Sequence, residues 1–308
     1  MKITALLHKH VLIGGGSGFI GRNLSKLLKS KNYEVTVVSR MPGTNRITWL
    51  DIQSKGIPEK ITSVVNLAGQ NVLDPKRRWT PGFKQNVWNS RVNSTRILAE
   101  EIIKSKRNLD AFINISGVSL YKPSSSKTYN ENHLGESFDF MSKLCIEWEK
   151  AATIPENENC RSIKLRTGVV LGPGGGMIES IWMPFVFGLG GPMGNGDQYL
   201  PWIHMDDLCN LILYCIENKN VKGILNGVAP QIVTNGEFSK IFASCLKRPA
   251  LIPFPEFAVK LIFGKDRSAL LLTGAKIEPK LTIESGFKYG FPIVKGACED
   301  IIKKVRGK

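Results

Sequence analysis

Hydrophobic and polar positions follow a repeating order along the first half of the chain. Val11-Leu12-Ile13 is a short apolar run that feeds directly into Gly14-Gly15-Gly16-Ser17-Gly18-Phe19-Ile20-Gly21. Leu24, Leu27 and Leu28 then recur at helical spacing as far as Ser30-Lys31-Asn32, and Val35-Thr36-Val37-Val38 reads as a second strand. Strand, glycine turn, helix and strand form the opening βαβ unit of a parallel sheet. A third strand is expected at 61–67, and a long helix over 83–104 with Val87, Val92, Ile97 and Leu98 on its apolar face. A strand at 111–115, a helix at 139–152 and a strand at 162–170 follow. This alternation predicts an α/β fold, a Rossmann-type doubly wound parallel sheet with helices on both faces.

Beyond residue 172 the pattern loosens. Glycine-rich loops at 172–176 and 188–196 flank a helix, and after about residue 230 the chain turns mostly helical between Pro249, Pro253, Pro255, Pro279 and Pro292. The expected organisation is a nucleotide-binding domain over 1–172 with part of the cleft. A substrate-side region over 173–308 follows, including a smaller, mainly helical C-terminal domain from about 250.

Composition narrows the class. The chain has 308 residues, 42% hydrophobic and 22% charged, which is the balance of a folded globular protein. Its formal net charge of +16 raises the question of nucleic acid. The basic residues are dispersed, however. The main clusters are Lys76-Arg77-Arg78 and the group Lys303, Lys304 and Arg306, and no zinc finger or basic helix accompanies them. A solvated basic surface is expected, with no nucleic-acid partner.

The six cysteines, Cys145, Cys160, Cys209, Cys215, Cys245 and Cys298, contain no Cys-x-x-Cys pair. Free thiols in a reducing intracellular compartment are expected, cytoplasm and mitochondrial matrix both remaining open. His8, His10, His133 and His204 are scattered, so no metal site is expected. The apolar stretch 178–191 is interrupted by Glu179 and Pro184 and is too short to span a bilayer. Residues 1–10 lack an apolar h-region, so a secretory signal is not expected, while a mitochondrial presequence stays open although these residues contain no arginine.

The first chemical signal is Gly15-x-x-Gly18-x-x-Gly21. Gly15 can make the tight turn, Gly18 lets backbone approach a pyrophosphate, and Gly21 lets helix and strand pack closely. Ser17, Phe19 and Ile20 complete the turn and the first helical amides, whose unpaired N–H groups and dipole favour phosphate. At the end of the second strand an NAD site usually places a carboxylate for the ribose hydroxyls. Here Ser39-Arg40 stands instead, and no acid occurs before Asp51. Arg40 can grip a 2′-phosphate through a charge-assisted fork and Ser39 can add a donor, so the expected cofactor is NADP(H).

Longer segments carry a resemblance: VVNLAGQNVLDPKRRWT at 64–80, NSRVNSTRIL at 89–98, SKLCIEWE at 142–149, LRTGVVLGPGGG at 165–176, GLGGPMGNGDQYLPWIHMDDL at 188–208 and LNGVAPQIVTNGEF at 225–238. With the glycine turn they resemble the extended short-chain dehydrogenase/reductases of the NAD(P)-dependent epimerase/dehydratase superfamily. More narrowly they resemble its atypical class 39U epimerase family, and the likeness covers most of the chain. It implies that Leu67 and Ala68, in Asn66-Leu67-Ala68-Gly69, border the adenosine side of the cofactor. It also implies that Asn86 and Arg91 reach the cofactor, although the residues alone leave both as solvent-facing helix positions.

The family's proton-transfer set is a Ser, a Tyr and a Lys, the last two spaced Tyr-x-x-x-Lys. Lys143 fits the lysine, but Asp139 stands where the tyrosine would be, between Phe138 and Phe140. A phenol starts near ~10 and a cation can draw it toward neutrality, whereas a carboxylate starts near ~4 and is drawn lower. Asp139 is therefore mismatched as a proton donor, and an i,i+4 pair with Lys143 is expected of it. The resemblance puts Ser116 in the region of the catalytic serine and implies that Tyr121, in SGVSLY, is a second hydroxyl near the cleft; the residues alone equally allow a packed loop aromatic. His204 in PWIHMDDL is either a cleft residue or a structural one ahead of a helix. The resemblance implies an NADP(H)-dependent oxidoreductase or epimerase acting on a small-molecule substrate. The alternative is a non-catalytic NADP(H)-binding regulatory protein. It further implies a homodimer formed through the helices at 83–104 and 139–152.

Overall fold

The computed structural model describes residues 9–74, 77–155 and 159–307. Lys76 of the basic triplet, His8 and most of the N-terminal segment read for a leader lie outside them. The chain opens with β1 (His10–Gly14), α1 (Phe19–Ser30), β2 (Glu34–Ser39), β3 (Arg46–Thr48), α2 (Trp49–Lys55) and β4 (Ser63–Asn66). The expected long helix forms as α3 (Pro81–Trp88) and α4 (Ser94–Ser105), joined by one wide π-type turn at Asn89–Asn93. Then come β5 (Leu109–Gly117), β6 (Ser124–Tyr129), α5 (Phe140–Ala151), β7 (Cys160–Thr167), β8 (Val169–Leu171), α6 (Gly176–Val186), β9 (Trp202–His204), α7 (Met205–Glu217) and β10 (Gly223–Gly227). The remainder is α8 (Asn235–Leu246), α9 (Glu256–Leu272), β11 (Ala275–Ile277), α10 (Lys280–Glu284) and α11 (Val294–Arg306).

The expected parallel α/β sheet is present, seven strands in the order β10-β7-β5-β4-β1-β2-β3. Its last strand, β10, comes from beyond residue 172. Strands β1 and β4 are buried throughout, as expected where helices cover both faces. Alternation divides the core. Val11 and Ile13 pack with Leu24 and Leu28 of α1 and Leu208 and Ile212 of α7, while Leu12 packs with Ile52 of α2 and Leu98 and Ile102 of α4. From β1 the chain runs outward through β2 and β3, then restarts on the other side with β4. The crevice at the carboxyl ends of β1 and β4 is therefore the switch point where open α/β sheets take ligands.

The strand read over 162–170 bends at Gly168, where a Cβ would lie 2.6 Å from the Pro201 carbonyl oxygen. Beyond the bend, β8 leaves the main sheet and pairs with β9. The C-terminal elements pack a second core around Trp202, Phe238, Phe242, Cys298 and Ile301. Among the described residues no helix is long and apolar enough to cross a membrane. None of the six cysteines is in a disulfide, and burial pushes the Cys145, Cys209 and Cys215 thiols up to about 12, which keeps them protonated and unreactive.

Candidate functional site

The turn after β1 is built from close backbone approaches. Gly15 has φ +72°, and a Cβ on it would lie 2.8 Å from the backbone of Ala68 in the loop leaving β4. Gly21 packs so tightly on the turn that its Cβ would fall 2.5 Å from Gly16 Cα. Gly18 is the N-cap of α1, with its amide donating to the Gly15 carbonyl at 3.0 Å. No side chain caps this helix and no acid stands in its first turn. The amides of Phe19, Ile20 and Gly21 thus lack intrahelical acceptors and form a positive pole. The Ser17 carbonyl accepts from the Arg22 guanidinium at 3.0 Å, which fastens the turn to its helix. The Phe19 ring sits against the glycine loop 172–176, where a Cβ on Gly175 would lie 2.4 Å from it. Gly172, Gly175 and Gly176 of that loop all border this ring.

At the end of β2, Ser39 is buried and its hydroxyl donates to the Met41 carbonyl, while Arg40 is exposed. The Ser39 hydroxyl is thus engaged by the turn, and Arg40 is the free donor. Asp51, the first acid downstream, caps α2 through Thr48 and pairs with Lys55 at 2.9 Å. Hydrogen bonds from Thr48, then from Lys55, hold its carboxyl well below the usual range.

Beyond β4, a buried network fixes the crevice floor. Asn66 Nδ2 donates to Thr95 Oγ1 at 2.7 Å and to Asn114 Oδ1 at 2.8 Å, and Trp148 Nε1 donates to the same Thr95 oxygen at 2.8 Å. The Leu67 amide donates to the Gly14 carbonyl at 2.8 Å and the Ala68 amide to Asn66 Oδ1 at 3.2 Å, which aligns both residues beside the glycine turn. The wide turn at Asn89–Asn93 grips Gln70 from both sides. Ser90 Oγ accepts from its amide at 2.9 Å and Arg91 Nη2 donates to its carbonyl at 2.9 Å. The Arg91 guanidinium lies over Gly69, where a Cβ would be 3.0 Å from Cζ, and 5.2 Å from the Trp148 ring centroid. Burial lowers its pKa to about 10, so it stays a cation at neutral pH, and no carboxylate among the described residues pairs with it. Asn86 is exposed on α3. Sequence reasoning missed Ser90, Gln70, Thr95 and Trp148. The one local sign was the run of polar residues inside a helix otherwise patterned for burial.

The expected catalytic positions divide into two groups. Asp139 is not within α5 but is its N-cap, with an extended backbone. Its Oδ1 accepts from the Ser142 amide at 2.7 Å, and Ser142 Oγ accepts from the Asp139 amide at 2.8 Å. This capping box replaces the expected pair with Lys143, because the i,i+4 rule holds only between residues that are both helical. Lys143 is exposed and has no side-chain partner among the described residues.

Ser116 and Tyr121 are 2% and 1% exposed and belong to one interior network. Ser116 Oγ donates to Glu149 Oε1 at 2.8 Å, and Glu149 receives Arg166 Nε at 2.8 Å and Nη2 at 2.9 Å. Arg166 Nη1 donates to the Tyr121 hydroxyl at 2.8 Å, which in turn lies 3.0 Å from Asn226 Oδ1. Burial raises the Tyr121 pKa above the ordinary phenol value. Lys143 takes no part in this network. His204 is an interior residue and not a cleft one. It is fully buried, caps α7 through the Asp206 amide, and stacks on Phe291 at 3.9 Å. His204, Asp206 and Asp300 converge, and the Lys304 ammonium lies 2.6 and 2.8 Å from the two carboxylates as their cation.

A doubly wound parallel sheet with an uncapped helix behind a glycine turn at the switch point is the architecture of a dinucleotide-binding protein. Residues 11–226 match the NAD dependent epimerase/dehydratase family, and the chain belongs to that family. Residues 254–301 match a domain of unknown function, DUF1731. The chain is 44% identical to the epimerase family protein SDR39U1 of Bos taurus over 293 residues, 95% of this chain and 99% of the relative. It is 33% identical to the epimerase family protein YfhF of Bacillus subtilis, over 95% of this chain and 98% of that one. The crystal structure of human SDR39U1 (isoform2) with NADPH superposes with a TM-score of 0.93 at 43% identity, covering 96% of this chain and 99% of that one. UDP-N-acetylglucosamine 4-epimerase from Bacillus cereus, 16% identical with a TM-score of 0.75, shares the fold.

Proposed function

We propose that the chain is an NADP(H)-dependent oxidoreductase or epimerase of the extended short-chain dehydrogenase/reductase type, with an atypical active site lacking the tyrosine of Tyr-x-x-x-Lys. The observation that carries the cofactor choice is the pairing at the end of β2 of an exposed Arg40 with an Asp51 already committed to a helix cap. The NADPH bound by the human relative supports it. The site fits this group: an uncapped helix for the pyrophosphate, a glycine at its N-cap that brings no side chain to the turn, and a guanidinium at Arg91 without a carboxylate partner among the described residues. When bound, the nicotinamide supplies hydride transfer. In this reading Gly15, Ser17, Gly18, Phe19, Ile20 and Gly21 hold the pyrophosphate. Arg40 takes the 2′-phosphate beside Ser39, and Leu67 and Ala68 border the adenosine. Asn86 and Arg91 close the far side. Residues 1–172 carry most of the cofactor site and 173–308 the substrate side.

Arg40→Ala is expected to weaken NADPH by about tenfold or more, the value of one charge-assisted hydrogen-bond pair, and to leave NADH nearly unchanged. Calorimetric titration of both cofactors tests this, and equal losses refute it.

Lys143 is the residue we assign to the nicotinamide ribose, where its charge also favours developing negative charge near the ring. Ser116 and Tyr121 we read as positioning residues, because their hydroxyls are held by Glu149, Arg166 and Asn226. Lys143→Ala should cost about tenfold in NADPH affinity. Asp139→Asn should be mild, since Asn caps a helix as well as Asp, whereas Asp139→Ala should cost about 1 kcal/mol of stability with cofactor affinity unchanged. If Asp139→Asn removes turnover while NADPH still binds, the carboxylate is the acid or base and the capping role is incomplete.

The Asp139 cap and the buried hydroxyls also favour a second reading, a non-catalytic NADP(H)-binding regulatory protein. Turnover of any member of a carbonyl and nucleotide-sugar panel excludes it. A homodimer through α3–α4 and α5 goes with the enzymatic reading, and a monomer mass by light scattering at micromolar concentration counts against it.

A further inference from the structure

Among the described residues, nine of the fifteen exposed large hydrophobic side chains fall in two segments, 183–189 and 251–262. The two segments lie side by side. Arg248 Nε donates to the Val186 carbonyl at 2.8 Å, and the Phe254 amide donates to the Pro192 carbonyl at 2.8 Å. Scattered exposed hydrophobics are ordinary, but a contiguous group of this kind marks a binding surface.

Helix α9 carries this surface to the cleft. Its outer half leaves Leu261 83% and Ile262 51% exposed, and at Gly264, with φ +75°, the helix kinks. Beyond the kink α9 is anchored to the segment that follows β4. Asp266 pairs with Lys84 of α3 at 2.6 Å, and the buried Arg267 donates to the Asp74 carbonyl at 2.8 Å. Between the outer half and that segment lies a cavity of about 530 Å³, walled by Trp79, Leu261, Ile262 and Phe263 with Arg78 and Arg267 beside them. Its volume is that of a small-molecule site. Trp79 also packs edge-on against Phe140 at 5.4 Å. Phe140 begins α5 and lies three residues, hence one helical face, from Lys143. The cavity thus shares a wall with the helix start that carries the proposed ribose-binding lysine.

Its charges are unevenly satisfied. Asp266 is neutralised by Lys84, and Arg267 is bound by backbone carbonyls. Arg78 is exposed and has no partner among the described residues. The described lining is therefore an apolar wall with the Arg78 guanidinium at its edge.

We propose that this cavity takes an amphipathic anion, a long apolar body lying on Trp79, Leu261, Ile262 and Phe263 with its carboxylate on Arg78, and that this is the substrate class of the site. The substrate assignment rests on the function proposed above, whereas the binding site itself does not. A nucleoside diphosphate sugar suits this lining poorly. Its base and sugar hydroxyls need several convergent donors and acceptors, whereas most of the described lining is apolar.

The test is a fluorescence titration of the NADPH-loaded full chain with cis-parinaric acid, a long-chain polyene acid, and with its neutral alcohol. The acid is expected to bind about tenfold tighter than the alcohol. Leu261→Asp, at an exposed position that leaves the fold alone, should weaken the acid by about tenfold, because it sets a charge against the apolar body. Arg78→Ala should abolish the preference for acid over alcohol. Excess UDP-glucose should leave the probe bound, and NADPH affinity should be unchanged in both variants. Equal binding of acid and alcohol by the unaltered protein, full affinity in Leu261→Asp, or displacement by UDP-glucose overturns the proposal. Failure of NADPH to bind removes the cofactor assignment instead, and the same titration without NADPH still decides the cavity.

Discussion

Gly18→Val is expected to lower NADPH affinity by about 100-fold or more while the protein stays folded. Gly18 has φ −76° and ψ −178°, a conformation open to any residue. A Cβ there meets only the Gly15 carbonyl oxygen, at 3.2 Å, and in the proposed placement a larger side chain competes with the pyrophosphate for the turn. The two neighbouring glycines of the motif answer to different physics. A Cβ at Gly21 would lie 2.5 Å from Gly16 Cα, so Gly21→Val overpacks the helix against the turn and should cost about 1–3 kcal/mol of stability. Gly15→Val is strained by its positive φ as well as by Ala68. Thermal denaturation paired with a fluorescence titration separates the cases. A Gly18→Val protein that binds NADPH normally would falsify the placement of the pyrophosphate on this turn.

The second large effect lies at Arg166. Its guanidinium and the Glu149 carboxylate are 4% and 10% exposed and meet in a two-pronged ion pair. Burial alone would lower the arginine's pKa, but the bonds and charge of Glu149 outweigh it and raise it, so the guanidinium stays a cation. Arg166→Met leaves the carboxylate buried with only the Ser116 hydroxyl, and the expected loss is about 3–5 kcal/mol in chemical denaturation. Replacing both partners, Arg166→Met with Glu149→Leu, should recover most of that loss, because the stranded charge is what costs. A single-variant loss under about 1 kcal/mol would mean that solvent reaches the pair, and would return Ser116 and Tyr121 to the cleft as candidate proton donors.

How far the sequence alone could be read depends on the range of the interactions involved. The glycine turn, the alternation of strands and helices and the free Arg40 were legible because each is a local pattern: a φ only glycine adopts easily, a period of two or of 3.6, a missing acid within a few residues. The same locality explains the errors. Asp139 and Lys143 are four apart and read as a helical pair. Whether a residue at a helix start is inside the helix or its cap turns on one backbone torsion, and the carboxylate went to the Ser142 amide. His204 looked equally suited to cleft or interior until Phe291 was packed upon it.

The sequence by itself determined a parallel α/β protein with a dinucleotide turn, because those features are written in neighbouring residues and survive any arrangement of the rest. Tertiary structure alone decided that Ser116 and Tyr121 meet through Glu149 and Arg166, that Arg91 lies over Gly69, and that Phe19 is seated in a glycine loop more than 150 residues away. Each of these joins residues from separate strands or helices. Which pairs meet is set by the order of strands in the sheet and the packing of helices upon it, and that order is a property of the whole folded chain.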